Sequence, residues 1–239
     1  MDIRNYLNRK NVFKRSDFDF YVRSSAVFSA SIEGNSIELN EYLKNKRYNV
    51  HSKKREMGEI DDLVAAYNFA MENKLTKTNL LKAHALLTKS TLDDSRDRGH
   101  IRRGDMGVVS ETAVLYTAPD WETATKKFTE LFQDINELIG RDLSIREVFY
   151  YASMIHLWFE QIHPFQDGNG RSGRLLEKWF LATKLGKNTW SIQSEKYYQK
   201  NRSEYMSNVD IGHTFNTLHW DRCLLFLLML PKAINYEDK

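Results

Sequence analysis

The chain alternates long segments that carry apolar residues at helical spacing with short polar stretches, and this pattern predicts a mostly helical fold. Only three prolines occur in 239 residues, which favours the same conclusion. The segment from Ser144 to about Gln161 opens with a capping box and is apolar on nearly every face, so we expect it to be the central helix. The other helices are predicted at about residues 16–33, 59–72, 77–87, 119–140, 170–185, 195–208 and 215–230.

One segment, Met106–Tyr116, has the pattern of a β-hairpin. Two strands cannot form a core by themselves, so we expect an accessory element on a helical body. The polar, basic stretch 44–55 predicts a surface loop or a short helix, with a nucleic-acid contact as the alternative. No repeat or linker-like composition is visible, and we therefore expect one domain over residues 1–239.

Charge and cysteine content narrow the class of protein. The 35 basic and 32 acidic residues give a net charge of +3, which does not favour a dedicated nucleic-acid binder. The single cysteine, Cys223, excludes an intrachain disulfide, and its apolar neighbours predict a buried, inert thiol. The longest apolar run, 223–231, is too short to cross a membrane, and the first residues do not resemble a signal peptide. We expect a cytoplasmic protein.

The segment 163–174 concentrates groups that suit phosphate chemistry. It reads His163-Pro164-Phe165-Gln166-Asp167-Gly168-Asn169-Gly170-Arg171-Ser172-Gly173-Arg174. A glycine-rich loop that leads into a helix can bring backbone N–H groups close to an anion. Two arginines three residues apart at the start of that helix are predicted to share a face. The segment therefore predicts a polyphosphate site beside a histidine.

The residue types in this loop suggest separate roles. His163 can accept a proton from a substrate hydroxyl near neutral pH. Asp167 suits Mg²⁺, which commonly takes one or two protein carboxylates together with phosphate oxygens. Gly168, Asn169 and Gly170 leave backbone N–H groups for the charge that develops on phosphorus. Arg171 and Arg174 can hold further phosphates.

These twelve residues resemble, without departure, the Fic family signature His-x-Phe-x-(Asp/Glu)-Gly-Asn-Gly-Arg-x-x-Arg, and the similarity extends over about residues 16–230. The resemblance implies an all-α, Fic-type helical bundle with a small β-hairpin flap at about 104–118 and a catalytic loop at 163–174. It also implies transfer of AMP from ATP to a hydroxyl side chain of a protein. In that reading His163 is the general base and Asp167 the Mg²⁺ ligand, while Asn169 and the neighbouring amides hold the α-phosphate. Arg171 and Arg174 would hold the distal phosphates.

A second segment, Ser29-Ala30-Ser31-Ile32-Glu33-Gly34, resembles the inhibitory motif of self-restrained Fic proteins, (Ser/Thr)-x-x-x-Glu-(Gly/Asn). At helical spacing Ser29 and Glu33 lie on one face. The resemblance implies that the N-terminal helix, at about 16–34, is inhibitory. Glu33 would pair with Arg174 and prevent the γ-phosphate from binding productively.

The resemblance further implies that the partners are ATP and a target protein bound along the flap. From charge and hydropathy we expect no membrane or nucleic-acid partner. A homodimer is left open. Tyr197 and Tyr198 are candidates for the adenine pocket, with a core role as the equal alternative. His84 and His156 lie among apolar residues, so we expect them to be packed in the core. Arg96, Arg98, Arg102 and Arg103 are expected to form a solvated or intrahelical ion-pair cluster, with one of them facing the nucleotide as the alternative.

Two other functions compete with AMP transfer. The same site could remove AMP from a target, with Glu33 positioning a water, or transfer UMP, phosphate or phosphocholine. A kinase-like branch of the family carries lysine where this chain has Gly170, which counts against phosphate transfer. A non-catalytic module that only binds nucleotide is the third hypothesis, and the presence of both His163 and Asp167 argues against it.

Overall fold

A computed structural model describes residues 15–48, 53–109, 114–234 and 236 of the chain. Its longer helices are α1 (Arg15–Ile32), α2 (Leu39–Tyr48), α3 (Lys54–Glu72), α4 (Lys77–Leu87), α5 (Trp121–Gly140), α6 (Ile145–Ile162) and α7 (Asn169–Leu185). Shorter helices follow: α8 (Ser194–Lys200), α9 (Arg202–Val209), α10 (Leu224–Leu227) and α11 (Met229–Ala233). Short 3₁₀ turns lie at Lys187–Ser191, Phe215–Thr217 and Trp220–Arg222. The predicted helical fold with one small hairpin is confirmed.

The hairpin is a two-stranded antiparallel sheet of β1 (Gly107–Val109) and β2 (Val114–Thr117). Residues 110–113, between the two strands, lie outside the described residues. Strand β2 is tied to the helical body, because the Tyr116 hydroxyl donates to the Gln161 carbonyl at 2.6 Å and the Thr117 N–H donates to the His213 carbonyl at 2.8 Å. The hairpin is thus held beside the C-terminal end of α6.

Helices α6 and α7 form the centre of the molecule, with α1, α3, α4 and α5 packed around them. The first cluster of buried side chains spans these helices. It includes Phe128, Phe149, Phe159, Phe165 and Trp179. A second, smaller cluster lies towards the C-terminal helices and contains Leu157, Tyr198, Tyr205 and Phe226. The prediction that the 144–161 helix is central is confirmed, although Tyr150 on its outer face is 49% exposed.

Local sequence signals explain several helix ends. The Ser144 hydroxyl and the Glu147 carboxylate form the predicted capping box at the start of α6. The Asp120 side chain accepts the Thr123 N–H at the start of α5, and the Thr76 side chain caps α4. Helix α7 ends at Gly186, whose φ of 90° favours glycine.

The helices predicted for the C-terminal quarter of the chain were wrong. The continuous helix predicted at 195–208 is broken at Asn201, which has φ −115° and ψ 38° and bonds the Tyr197 carbonyl through its side chain. The helix predicted at 215–230 is a series of short turns. Its run of consecutive apolar residues offers no single buried stripe, and Leu224 and Leu225 are about 60% exposed.

Two smaller predictions, for residues 44–55 and for Cys223, are corrected by the structure. The polar stretch that begins at residue 44 is the end of α2 and the start of α3, with residues 49–52 outside the described part. Trp121 is 40% exposed, because it occupies the first turn of α5, beyond the core. Cys223 is partly exposed and not buried. In the described part of the chain, no helix has the length and apolar character needed to cross a bilayer.

Buried charges link α1 to the centre of the fold. The Lys178 ammonium donates to Ser25 Oγ of α1 at 2.7 Å, to the Ile192 carbonyl at 2.6 Å and to Glu195 Oε2 at 2.7 Å. Lys178 and Glu195 are both completely buried, and Tyr67 donates to the other oxygen of Glu195. Because every charge has a partner, this polar cluster can persist inside an apolar core.

Candidate functional site

The loop 163–174 begins where α6 stops. His163 adopts a left-handed conformation with φ 49°, and its N–H donates to the Phe159 carbonyl at 3.0 Å. Its ring Nδ1 lies 3.4 Å from the Glu160 carbonyl, which can only accept a hydrogen bond. Nδ1 therefore carries the proton, and Nε2 is the basic nitrogen. Burial lowers the pKa of His163 to about 4, so the ring is neutral at pH 7.

The loop is held by its own amide and by a buried histidine. The Asn169 side chain donates to the Phe165 carbonyl at 2.8 Å and accepts the Phe165 N–H at 2.9 Å. Phe165 is fully buried and stacks on His84 with the ring centres 3.7 Å apart. His84 Nε2 lies 2.9 Å from the Asp167 carbonyl, and His84 Nδ1 accepts the Gly99 N–H at 2.8 Å. The prediction that His84 is packed in the core is confirmed, and its contacts fix the shape of the loop.

Arg102 holds the loop from the other side. Its backbone N–H donates to the Pro164 carbonyl at 3.0 Å and its Nε donates to the His163 carbonyl at 2.9 Å. Its remaining donors reach the Gly104 and Pro119 carbonyls, and the residue is 2% exposed. The prediction that Arg102 belongs to a solvated or ion-paired cluster was wrong. Because its four acceptors are backbone carbonyls, Arg102 joins the loop to both ends of the hairpin.

The start of α7 offers an anion site. Gly168, with φ 80°, precedes the helix, and the first helical residues are Asn169, Gly170 and Arg171. The first N–H groups of a helix have no acceptor within it, and the helix dipole adds a partial positive charge there. A phosphate is the kind of group that such an end binds.

The two arginines of the loop engage different elements. Arg171 donates to Glu59 Oε1 of α3 at 2.8 Å and to Asp167 Oδ2 at 2.7 Å, and its side chain is 5% exposed. Although burial acts to raise it, Arg171 holds the pKa of Asp167 below its usual value. The Asp167 side chain is 44% exposed, so an ionised carboxylate faces the solvent at the loop.

Arg174 is enclosed by α1 and the residue that follows it. Its Nε donates to Ser29 Oγ at 2.9 Å, and its Nη2 donates to the Ser29 carbonyl at 3.1 Å and to Glu33 Oε1 at 2.6 Å. Its Nη1 lies 3.3 Å from the Tyr205 hydroxyl. Burial alone would lower the pKa of Arg174, but Tyr205 and Glu33 raise it above the usual value. The structure thus brings Ser29, Glu33 and Arg174 together, as the two sequence motifs suggested.

The glycines of this first helical turn leave room for that arrangement. A side-chain carbon on Gly170 would lie 2.4 Å from Glu33 Oε1 and 3.1 Å from Arg174 Nη1. Glu33 therefore stands against the backbone of the loop, above the N-terminus of α7.

The tyrosine pair considered for an adenine pocket is part of the core. Tyr198 is 1% exposed, and its hydroxyl donates to both oxygens of the Glu177 carboxylate, at 3.0 and 2.9 Å. Tyr197 is also buried. His156, a predicted core residue, accepts or donates within the same cluster, 2.8 Å from Glu177 and 3.1 Å from Tyr205. Of the two roles weighed for the pair, the core role is the one that the packing supports.

Several residues that shape this site carried no local signal. They are Glu59, His84, Arg102 and Tyr205, each brought to the loop by the tertiary fold. Among the described residues, no three or more His, Cys, Asp or Glu side chains cluster as metal ligands. Asp167 alone fits an ion that takes most of its ligands from a bound phosphate and water, as Mg²⁺ does.

Comparison with known proteins agrees with this fold and loop. The fold is that of Fic proteins, because the chain superposes on a Fic family protein from Desulfovibrio desulfuricans G20 with a TM-score of 0.76 at 24% identity, covering 96% of this chain and 67% of that one. A Fic domain containing signaling protein from Bacteroides thetaiotaomicron VPI-5482 gives 0.72 at 17% identity, with 99% and 98% covered. Residues 74–181 match the model of the Fic/DOC family, and this range includes the whole loop.

A third structure in this comparison contains a nucleotide. BepC, a VirB-translocated Bartonella effector protein from Bartonella tribocorum, was crystallised with bound AMPPNP. It superposes with a TM-score of 0.54 at 15% identity, over 79% of this chain and 86% of that one. The fold implied by the loop signature is confirmed. Adenylyl transfer and restraint by Glu33 stay predictions.

Proposed function

We propose that the protein transfers AMP from ATP to a hydroxyl side chain (Tyr, Thr or Ser) of a target protein, and of itself, and that Glu33 restrains this activity. The observation that carries the proposal is the 2.6 Å ion pair between Glu33 and Arg174. Arg174 lies in the range that matches the Fic/DOC family model, and Glu33 stands above the N-terminal end of α7, where an anion would bind. A carboxylate at that point occupies the arginine that a nucleotide phosphate would use.

His163 has the properties of the base in such a transfer. Its neutral ring presents Nε2 as a proton acceptor. In the proposed step the target hydroxyl gives its proton to Nε2, its oxygen bonds to the α-phosphorus of ATP, and the bond to the leaving pyrophosphate breaks. The product is an AMP ester of the target.

The remaining loop residues would bind and orient the triphosphate. The N–H groups at Gly168, Asn169 and Gly170 would meet the α-phosphate, since they lie at the start of α7. Arg171 and Arg174 would take the distal phosphates. Asp167 is the carboxylate that would hold Mg²⁺, which when bound neutralises phosphate charge.

The restraint follows from charge and position. Glu33 withholds one edge of the Arg174 guanidinium from ATP, and its own negative charge repels phosphate at the same place. The carboxylate is 35% exposed, so it can leave without unfolding α1. The hairpin, held beside α6 by Tyr116, would bind a target segment through main-chain hydrogen bonds.

Incubation with labelled ATP and Mg²⁺ tests the proposal. We expect weak self-labelling of the natural protein, at least tenfold more in Glu33→Gly, and none above background in Glu33→Gly/His163→Ala. Matched controls are Glu38→Gly and His219→Ala, which change exposed residues of the same types away from the loop. Equal labelling in all variants would refute the assigned roles.

Intact-mass measurement of the labelled protein separates the alternatives. An added AMP supports the proposal, whereas an added UMP, phosphate or phosphocholine identifies another transfer. Loss of AMP from a pre-modified target would identify the reverse activity. Tight ATP binding with no added mass in Glu33→Gly would favour a non-catalytic nucleotide-binding module.

A further inference from the structure

A buried carboxylate near Arg174 has no role in the site described so far. Glu160 lies in the last turn of α6, three residues before His163, and its side chain is 11% exposed. Its Oε1 is buried and has no hydrogen-bond partner among the described residues. Burial raises the pKa of Glu160, and the nearby Glu33 raises it too, while His156 and Arg174 act to lower it. A buried carboxylate oxygen without a donor is rare and costly.

Arg174 has an N–H donor that lacks an acceptor. A guanidinium carries five N–H donors. Four of them are used in the bonds to Ser29 Oγ, the Ser29 carbonyl, Glu33 and Tyr205, and the last of these is long, at 3.3 Å. One N–H on Nη1 therefore has no acceptor among the described residues, close to an acceptor that has no donor.

The glycines of α7 show that Glu160 and Glu33 flank Arg174. A side-chain carbon on Gly170 would lie 2.4 Å from Glu33 Oε1, and one on Gly173 would lie 2.7 Å from Glu160 Oε1. Each glycine of the turn that bears Arg174 thus makes room for one carboxylate. His156, 3.7 Å from Glu160 Oε1, does not satisfy that oxygen with a hydrogen bond.

We propose that Glu160 is a positioning residue and the second carboxylate partner of Arg174. When Glu33 leaves, the N–H of Nη1 that has no acceptor pairs with Glu160. The Nη2 N–H that Glu33 releases then points to the nucleotide phosphates. The effect on nucleotide binding rests on the proposed function, whereas the exchange of partners by Arg174 depends on these side chains alone. With Glu33 in place, Arg174 is held towards α1 and Glu160 stays unpaired. With Glu33 gone, the arginine is kept in the site by a charge that does not block the nucleotide.

The first test needs no activity. In a crystal structure of Glu33→Gly without nucleotide, Arg174 Nη1 and Glu160 are expected within hydrogen-bond distance, about 2.7–3.2 Å. An Arg174 that keeps its present direction, or turns to solvent, overturns the proposal. A pair that forms in a protein that neither binds ATP nor adds AMP would leave the exchange standing and refute the proposed function.

The second test measures ATP affinity by calorimetry in the Glu33→Gly background. Adding Glu160→Gln should weaken ATP binding at least tenfold and raise KM for ATP more than it lowers kcat, because the arginine loses its orienting charge. Adding Glu160→Asp, which keeps the charge on a shorter side chain, should recover part of the affinity and also serves if the Gln variant does not fold. Unchanged ATP affinity in folded Glu160→Gln would contradict the proposal.

Discussion

Acid should destabilise the loop through His84, and the contacts of this side chain explain why. Nδ1 accepts the Gly99 N–H and is therefore unprotonated, while Nε2 donates to the Asp167 carbonyl. A proton on Nδ1 would face the Gly99 N–H donor. Burial is the main cause that lowers the pKa of His84 from 6.5 to about 4, and the charge on Arg171 adds to it.

The direction of the pH effect follows from that depressed pKa. Above about pH 6.5 the ring is neutral in both the folded and the unfolded chain, and its contribution to stability is fully present. As the pH falls towards 4, the unfolded chain binds a proton that the folded chain does not, so stability is lost. At pH 5 the loss is about 2 kcal/mol, from ~1.4 kcal/mol per pKa unit over about 1.5 units.

Urea unfolding at pH 7.5 and pH 5.0 measures this loss, with His84→Gln as the variant that cannot titrate. The free energy of unfolding of the natural protein should fall by about 2 kcal/mol more than that of His84→Gln over this range. His219→Gln, at an exposed histidine, should behave like the natural protein. Equal losses in the natural protein and His84→Gln, or an NMR titration that gives His84 a pKa above 6, would refute the reasoning.

Two further predictions concern the segment that supports the loop. Gly99→Ala should lower the free energy of unfolding by about 1–3 kcal/mol in urea titrations, because φ is 75° and the new carbon would lie 2.7 Å from the Leu81 carbonyl oxygen. Gly104→Ala, with open space around it, is the control and should change the free energy of unfolding little. Equal effects of the two substitutions would contradict this prediction. Arg102→Ala should lower the free energy of unfolding by about 2–4 kcal/mol and reduce the proposed AMP transfer, because buried carbonyls lose their donor. The adjacent exposed Arg103→Ala is the control, and an unchanged Tm in Arg102→Ala would exclude the role.

Helix boundaries were predictable where short polar signals mark them. The capping box at Ser144 and the stop at Gly186 depend only on neighbouring residues, and both appear in the fold. The segment 215–230 lacks such signals, since its apolar residues follow one another without a helical period. Packing against the second cluster therefore decides where its short turns lie.

The candidate site also combines residues that the sequence predicts with residues that only the fold brings together. The chemistry of 163–174 could be predicted because base, carboxylate, glycines and arginines lie within twelve residues. The groups that hold this loop could not, since His84 is 83 positions from Asp167, and Arg102 is 61 positions from His163. In the sequence Arg102 resembles the neighbouring arginines, and only the fold shows that it is buried.

The buried ammonium of Lys178 has a consequence for how the protein could be switched. By bonding Ser25, it fastens α1 to the interior at the helix middle, and Ala26, Val27 and Ala30 are almost completely enclosed. Such a helix is held in place, so the proposed release of Arg174 needs a movement of the Glu33 carboxylate beyond its end and not of α1. We therefore expect the proposed restrained and released forms to have nearly the same overall shape. Solution scattering will not distinguish them, whereas a probe of the Arg174 guanidinium will.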